Sequence, residues 1–404
     1  MLKSYLLVAI RNLLRNKLYS GINIAGLAVG MTCCMLILLY IRYELSYDAF
    51  HANADHLYRV IRETRTENID PIFHPGTSGN MGPALETDIP EILGVVRTQF
   101  EPDTWVRYGD RGFAQDFLMA DASILEAFSF PLIKGDPKTA LEKPYSVVLT
   151  REMAKKYFGN EDPIGKILEV NNKHVAGDYR ITGVVDHPPN TQIRFDFLSS
   201  TRDQQLTKSV WLFWQPVSTW RPIETYIRLD ARYSPKDLET KLSDFMAQYM
   251  GEDVRALNTY HLQPIKRIHL YAREDYGMVS DGDISYVYLF LAIAGFILII
   301  ACINFMNLAT ARSTHRAREV GMRKVVGASR KSLIFQFVGE AILLSLTASL
   351  LAVLQWLFGH SPGTGFAPQQ IRSGRFSHPG ILCRHPLRKL SSLAPFPVPT
   401  RQYP

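Results

Sequence analysis

Two apolar runs without a single charge, Ile22–Ile41 and Tyr286–Ala311, bracket a charge-rich segment of about 240 residues. A helix needs about 20 apolar residues to cross a bilayer, and each run is long enough. A third run, Leu333–Phe358, is interrupted only by Gln336, Glu340 and Gln355. The chain therefore reads as a multi-pass membrane protein with spans at residues 20–41, 285–311 and 333–358. Its remaining segments are sorted by the lipid to one side or the other.

Charge gives the sorting. Of 45 Lys and Arg residues, only 17 lie outside residues 42–283, in three blocks: Lys3–Lys17, Arg312–Lys331 and the last 45 residues. Only two acids, Glu319 and Glu340, lie outside the central segment. That segment holds 28 basic and 36 acidic residues, so it is net −8 while the remainder is net +15; the formal total of +7 hides the contrast. Basic residues are retained on the cytoplasmic side. The amino terminus and the loop at residues 312–332, with seven basic residues, are thus expected inside. Residues 42–284 are expected outside, in the periplasm of an inner-membrane protein if the cell has two membranes, and the third span carries the tail outward.

The first run reads as an uncleaved anchor. It is longer than a signal-peptide core, and Tyr40-Ile41-Arg42-Tyr43-Glu44 offers no small-x-small cleavage site. Ahead of it, Leu2, Leu6, Ala9, Ile10, Leu13 and Leu14 share a helical face opposite Lys3, Arg11 and Arg15. Residues 1–19 are expected to lie in the membrane surface, in contact with lipid. Inside the span, Gly26 and Gly30 form a small-x-x-x-small pair that permits close helix packing, a spacing that also arises by chance. Glu340, in the third span, costs roughly 2.5–3.5 kcal/mol if it stays charged in lipid. It either reaches the cytoplasmic interface or faces the bundle interior.

The outer segment alternates short strands and helices. Strands are expected at Leu57–Arg62, Tyr179–Val185, Arg194–Leu198, Thr225–Leu229 and Leu262–Leu270. Helices are expected at Glu152–Phe158, ended by Gly159, and from Pro235 towards Tyr249 with Ser234 as N-cap. The fold class is α+β, in two subdomains given the length. Cys33, Cys34 and Cys302 fall in spans and Cys383 in the tail, so the outer domain has no disulfide.

Several chemical patterns dissolve on inspection. Gly159 to Gly165-Lys166 has five residues between its glycines where a phosphate loop needs four, and Ile167 replaces the magnesium-holding Ser or Thr. Gly359-His360-Ser361-Pro362-Gly363 follows a membrane span instead of a strand. His51, Asp55 and His56 lack metal-ligand spacing. No catalytic set, metal site or cofactor site is expected, and nothing points to nucleic acid. Trp211, Phe213, Trp214 and Trp220 could receive an apolar partner or simply fill a core. In the inner loop, Val320, Val325 and Val326 make an apolar strip beside Arg318, Arg323 and Lys324. Such a loop is either a docking element or only a retention signal.

Arg318-Glu319-Val320-Gly321-Met322-Arg323-Lys324-Val325-Val326-Gly327-Ala328 resembles the loop after the second span of MacB/FtsX-type permeases, the mechanotransmission class of ABC transporters. Ala9–Lys17, Asn23–Gly30, Tyr47-Asp48-Ala49-Phe50-His51 and Tyr157–Lys166 are similar to other stretches of that family, in the same order. The resemblance covers about residues 1–358. It implies a non-enzymatic permease whose coupling loop, through Arg318, Glu319, Gly321, Arg323, Lys324 and Gly327, docks on a separate ABC ATP-binding subunit. ATP would be bound by that partner, and two permeases, identical or related, would pair in the membrane. A periplasmic adaptor is a further implied partner. Outputs in the family include export or extraction of macrolides, peptides or lipoproteins, and regulation of periplasmic cell-wall enzymes without transport. A membrane receptor is the rival class, although the inner loop offers no signalling domain. A fourth span is expected after Phe358, yet residues 359–404 hold eight prolines, six basic residues and no acid. That tail is expected to be disordered, from either a frameshifted or truncated gene or a lineage-specific extension. Reporter fusions at Trp214 and Arg323 should report opposite sides of the membrane; the same compartment for both would refute the topology.

Overall fold

The computed structural model describes residues 17–66, 69–173, 175–200, 223–272 and 282–325, together with 338–339, 342, 345–351 and 353. In chain order its elements are α1 (Lys17–Glu44), β1 (Leu57–Thr66), β2 (Ile69–His74), β3 (Gly76–Thr77), α2 (Met81–Asp88), β4 (Ile92–Tyr108) and β5 (Arg111–Ala120). Then come α3 (Ile124–Ala127), β6 (Leu132–Lys134), β7 (Ser146–Thr150), α4 (Arg151–Phe158), β8 (Ile167–Asn171), β9 (Ala176–Val185) and β10 (Phe197–Ser200). The last are β11 (Ile223–Leu229), α5 (Pro235–Met250), α6 (Glu252–Leu257), β12 (Asn258–Pro264), α7 (Ile265–Tyr271) and α8 (Ile284–Val325).

Helices α1 and α8 are long and apolar enough to cross a membrane, over Gly21–Glu44 and Ile284–Asn307. Between them lies a mixed α/β domain on a 12-stranded sheet, with the main path β12-β1-β11-β4-β5-β10-β7-β9-β6. Most pairs are antiparallel, but β10 runs parallel to β5 and β7 parallel to β9. Near one end, α2 and α5 cover a core of Met81, Leu85, Ile227, Leu238 and Leu242. Towards the other, α4 covers a core of Phe117, Val147, Tyr157, Leu168 and Phe197. A third cluster, including Phe128, Phe130, Ile265 and Ile268, brings in α3 and α7.

Strand β4, 17 residues long, joins the two ends. Its first half pairs with β11 and its second half with β8, while β5 lies along it from Thr98 to Tyr108. Between them the register slips at Glu101–Thr104, where Asp103 has φ 51°. Pro102 lacks a ladder N–H and is tolerated at such a bulge. Side chains close it: Thr104 Oγ1 donates to the Glu101 carbonyl at 3.0 Å, and Asn172 Nδ2 donates to Thr104 Oγ1 at 2.8 Å.

Several elements differ from the sequence expectation. Leu262–Leu270 is not one strand, because β12 stops at Pro264 and α7 begins at Ile265. Ile265, Ile268 and His269 recur at helical spacing, and their burial on one side favours the turn. Strand β10 starts only at Phe197, since the Asp196 carboxylate accepts the Asp116 N–H at 3.1 Å. Strand β1 is buried on both faces over Arg59–Glu63, and of its polar residues Arg59 and Glu63 go inside paired. Arg59, 1% exposed, donates to Gln263 Oε1 from Nε and Nη2 at 3.1 and 2.8 Å, and lies 3.5 Å from Glu224. Ser234 precedes α5 in extended conformation but makes no side-chain cap, whereas Thr150 Oγ1 accepts the Met153 N–H and caps α4.

Gly135 has φ 94°, and a Cβ there would lie 2.5 Å from the Thr182 carbonyl oxygen; Gly109, with φ 55°, has open space. Gly109→Ala should cost only the left-handed penalty, about 1–2 kcal/mol. Gly135→Ala adds a backbone collision and should cost clearly more. Urea midpoints of the detergent-solubilised chain, followed by near-UV circular dichroism, test this; equal losses would contradict the packing described.

Candidate functional site at the junction of spans and outer domain

The outer ends of α1 and α8 meet the sheet domain through a buried polar joint. After α1 ends at Glu44, the chain enters Tyr47–His51, and Asp48 takes φ 54°, a left-handed conformation that Asp tolerates better than most residues. Its backbone N–H donates to the Asn190 carbonyl at 2.9 Å. Its buried carboxyl accepts from Thr191 Oγ1 at 2.5 Å and from the Gln192 N–H at 3.2 Å. Asn190 Nδ2 donates back to the Ser46 carbonyl at 3.0 Å, and the Tyr43 hydroxyl to the Pro189 carbonyl at 3.2 Å. The segment after the first span thus grips the turn at residues 187–193 by its backbone.

Aromatic rings fill the space behind this grip. His51 lies 3.5 Å from Asp48 and packs against Phe50, Phe128 and Phe130. Phe130 also stacks on His187, whose Nε2 lies 2.9 Å from the Ile193 carbonyl, while Phe195 meets the His187 ring at 90°. Burial holds the His187 pKa below its usual 6.5.

The second half of the joint is on α7. His269 Nε2 lies 2.6 Å from Glu44 Oε2, and its ring stacks on Tyr47 with centroids 3.4 Å apart and planes 4° apart. A Cβ at Gly282 would lie 2.7 Å from both His269 Nε2 and its carbonyl oxygen. Asp283 then opens α8 by accepting the Ser285 N–H at 2.7 Å, a bond that holds its carboxyl below the usual value. Ile41, Leu270 and Val287 form an apolar cluster joining α1, α7 and α8.

Towards the opposite end the two helices stay in contact. Val287, Ala294 and Ala301, seven residues apart, are buried along α8. Cys34 Sγ donates to the Ala294 carbonyl at 3.3 Å. A Cβ at Gly30 would sit 2.9 Å from Ala301 Cβ, and one at Gly26 would sit 3.0 Å from Asn304 Nδ2. Both glycines therefore face α8. Tyr40, Tyr286 and Tyr288 are exposed near the outer ends, where aromatic residues favour the lipid–water boundary.

Of the expected coupling residues, Arg318, Glu319, Gly321, Arg323 and Lys324 lie on the last turns of α8, which runs past the apolar stretch to Val325. Between Gly295 and Gly321 there is neither Gly nor Pro to stop it. Gly321 is exposed with open space around it. Gly327, Glu340, the amphipathic stretch at residues 1–16, Trp211, Phe213, Trp214, Trp220 and the tail lie outside the described residues. In the third apolar run the described residues are helical, and Ser349 Oγ lies 3.5 Å from Met31 Sδ. The phosphate-loop lookalike is a turn: the Gly165 N–H donates to the Ile181 carbonyl, and Lys166 pairs with Glu161. Asp55 pairs with Lys266 at 2.6 Å. Glu44, Asp48, Thr191 and His269 escaped the reading of single residues, because their partners are 143 to 225 positions away.

The profile of the MacB-like periplasmic core domain matches residues 20–245, and that of the FtsX-like permease C-terminal domain matches residues 291–360. The chain belongs to the MacB/FtsX-type ABC transporter permeases. It is 22% identical over 237 residues to the ABC transporter permease YvrN of Bacillus subtilis, covering 58% of this chain and 55% of that one. The macrolide export ATP-binding/permease protein MacB 1 of Yersinia pestis bv. Antiqua is 22% identical over 369 residues, 86% of this chain and 51% of the other. The chain thus spans about half the length of these curated relatives. Among solved structures, a permease-protein domain from Porphyromonas gingivalis aligns at TM-score 0.45 and 23% identity, covering 53% of this chain and 91% of that domain.

The depressed His187 pKa fixes a pH dependence. Below the ordinary histidine value the unfolded chain binds more protons than the folded one. The stability linked to His187 is full above about pH 6.5 and is lost as pH falls through the lower folded value. Between pH 7 and 5 the urea midpoint of His187→Phe should fall less steeply than that of the unaltered chain. Identical slopes would mean that the clamp leaves this imidazole at its ordinary value.

Proposed function

We propose that this permease is a membrane subunit through which a separate cytoplasmic ABC ATP-binding subunit moves the outer, periplasmic domain. The observation that carries this reading is α8, 42 residues in one helix. At 1.5 Å per residue it is about 63 Å long, roughly twice the hydrocarbon thickness of a bilayer. With its outer end at the joint, the surplus projects on the inner side. Arg312, Arg316, Arg318, Arg323 and Lys324 fall there, in the compartment that retains basic loops. A single helix then joins the docking stretch to the domain that does the work.

In this reading ATP is bound by the partner, and two permease chains, identical or related, pair around two ATP-binding subunits. Closure of those subunits biases the inner ends of the spans, and the joint passes the bias outward. A ligand at one site shifts a remote equilibrium only by its differential affinity for the two states, so nucleotide must bind one arrangement of the inner ends better. The output is export or extraction of a substrate such as a macrolide, peptide or lipoprotein, with a periplasmic adaptor as a further partner.

Co-purification tests the docking. The tagged full chain, co-expressed with an ABC ATP-binding subunit encoded beside it, should retain that subunit in detergent. Glu319→Arg or Gly327→Trp should reduce retention at least about tenfold, the equivalent of about 1.4 kcal/mol. Undiminished retention in both variants would remove the coupling loop from the proposal, and capture of a kinase instead would favour a receptor.

A further inference from the structure

We propose that His269 is the positioning residue that makes the two spans and the sheet domain move as one body. This rests on the relay reading above, and it assigns the transmitting contact to one side chain. His269 is 1% exposed and is enclosed by elements from each moving part. Glu44, the last residue of α1, holds its Nε2 at 2.6 Å. Tyr47, in the segment that grips residues 190–192, covers its ring face at 3.4 Å. Gly282, two residues before α8, lies so close that a side chain there would meet the imidazole at 2.7 Å. His269 itself belongs to α7, which follows directly on β12, and β12 is paired with β1 from Tyr58↔Pro264 to Thr64↔Asn258.

Packing alone would locate the ring without making it a transmitter. Three features go further. The Glu44 contact is polar and directional, so rotation or withdrawal of α1 changes it at once. The parallel stack on Tyr47, with centroids 3.4 Å apart, leaves no gap to take up an approach of the two rings. On the Gly282 side there is no room even for a Cβ, so the chain leading into α8 has little space to approach before it meets the ring. Interiors packed this closely transmit displacement instead of absorbing it. A relative movement of α1 and α8 therefore reaches β12 through α7.

The test needs no ATP-binding subunit, so its failure is distinct from failure of the docking experiment. The full chain is placed in nanodiscs of phosphatidylethanolamine and phosphatidylglycerol, and amide exchange is read by mass spectrometry. Gly30→Leu serves as a wedge between the spans; Gly26→Leu is the second wedge should the first fail to insert. In the otherwise unaltered chain the wedge should raise exchange in Ile265–Tyr271 at least about threefold while Ser146–Thr150 stays protected. In a His269→Ala background the wedge should add no further increase. His269→Gln, which keeps an N–H donor for Glu44, should restore part of the increment; a merely space-filling ring would be rescued better by His269→Phe. Equal increments with and without His269, no increment in the unaltered chain, or better rescue by Phe would each overturn the proposal.

Discussion

A helix in lipid satisfies its own backbone and has little with which to hold a domain in water. The attachment has to be made by side chains just beyond the hydrocarbon, and here the carboxyl of Asp48 makes much of it. It is buried, and it accepts from Thr191 Oγ1 and from a backbone N–H in the turn at residues 187–193. A hydrogen bond contributes about 0.5–1.5 kcal/mol net, and leaving a buried partner unpaired costs about 1–3 kcal/mol. The left-handed backbone at Asp48 is kept because these contacts over-determine it. That anchor, with the Asn190–Ser46 and Tyr43–Pro189 bonds, fixes the aromatic cluster of Phe50, Phe128 and Phe130 relative to the first span.

The sheet behind the anchor is a single continuous frame with helices over separate cores. A bulged strand runs through both halves, so they share main-chain hydrogen bonds and not only side-chain packing. The bulge at Glu101–Thr104 changes the strand's direction where its neighbours change from β11 to β8. Such a frame resists shear between its halves. It suits the displacement as a unit proposed above.

Much of this was legible in the chain itself. Apolar length and charge placement located both described membrane helices, and Leu57, Tyr179 and Thr225 each fell in observed strands. Pro235 and Gly159 marked helix ends for local steric reasons, and local rules suffice there. The reading failed where a tertiary contact decided. Residues 265–271 form a helix because their buried face fits under the sheet, which alternation along Leu262–Leu270 could not reveal. Arg59 and Glu63 look like wet positions of a strand, yet they are buried among partners. The joint was least visible of all. Glu44 and His269 are ordinary residues until the fold brings them to 2.6 Å. Only the Tyr47–His51 stretch hinted at it, as a likeness without a mechanism.

The second long helix has a mechanical consequence of its own. Pivoted at a fulcrum by its outer end, a rod of about 60 Å swept through about 5° shifts its far tip by about 5 Å. That is close to one turn of helix, a step large enough for a neighbour to settle into the next groove. Read in reverse, a push of that size at the inner tip becomes a small, forceful rotation at the outer end. The chain would trade distance for torque, and stiffness along the rod would matter more than any chemistry carried on it.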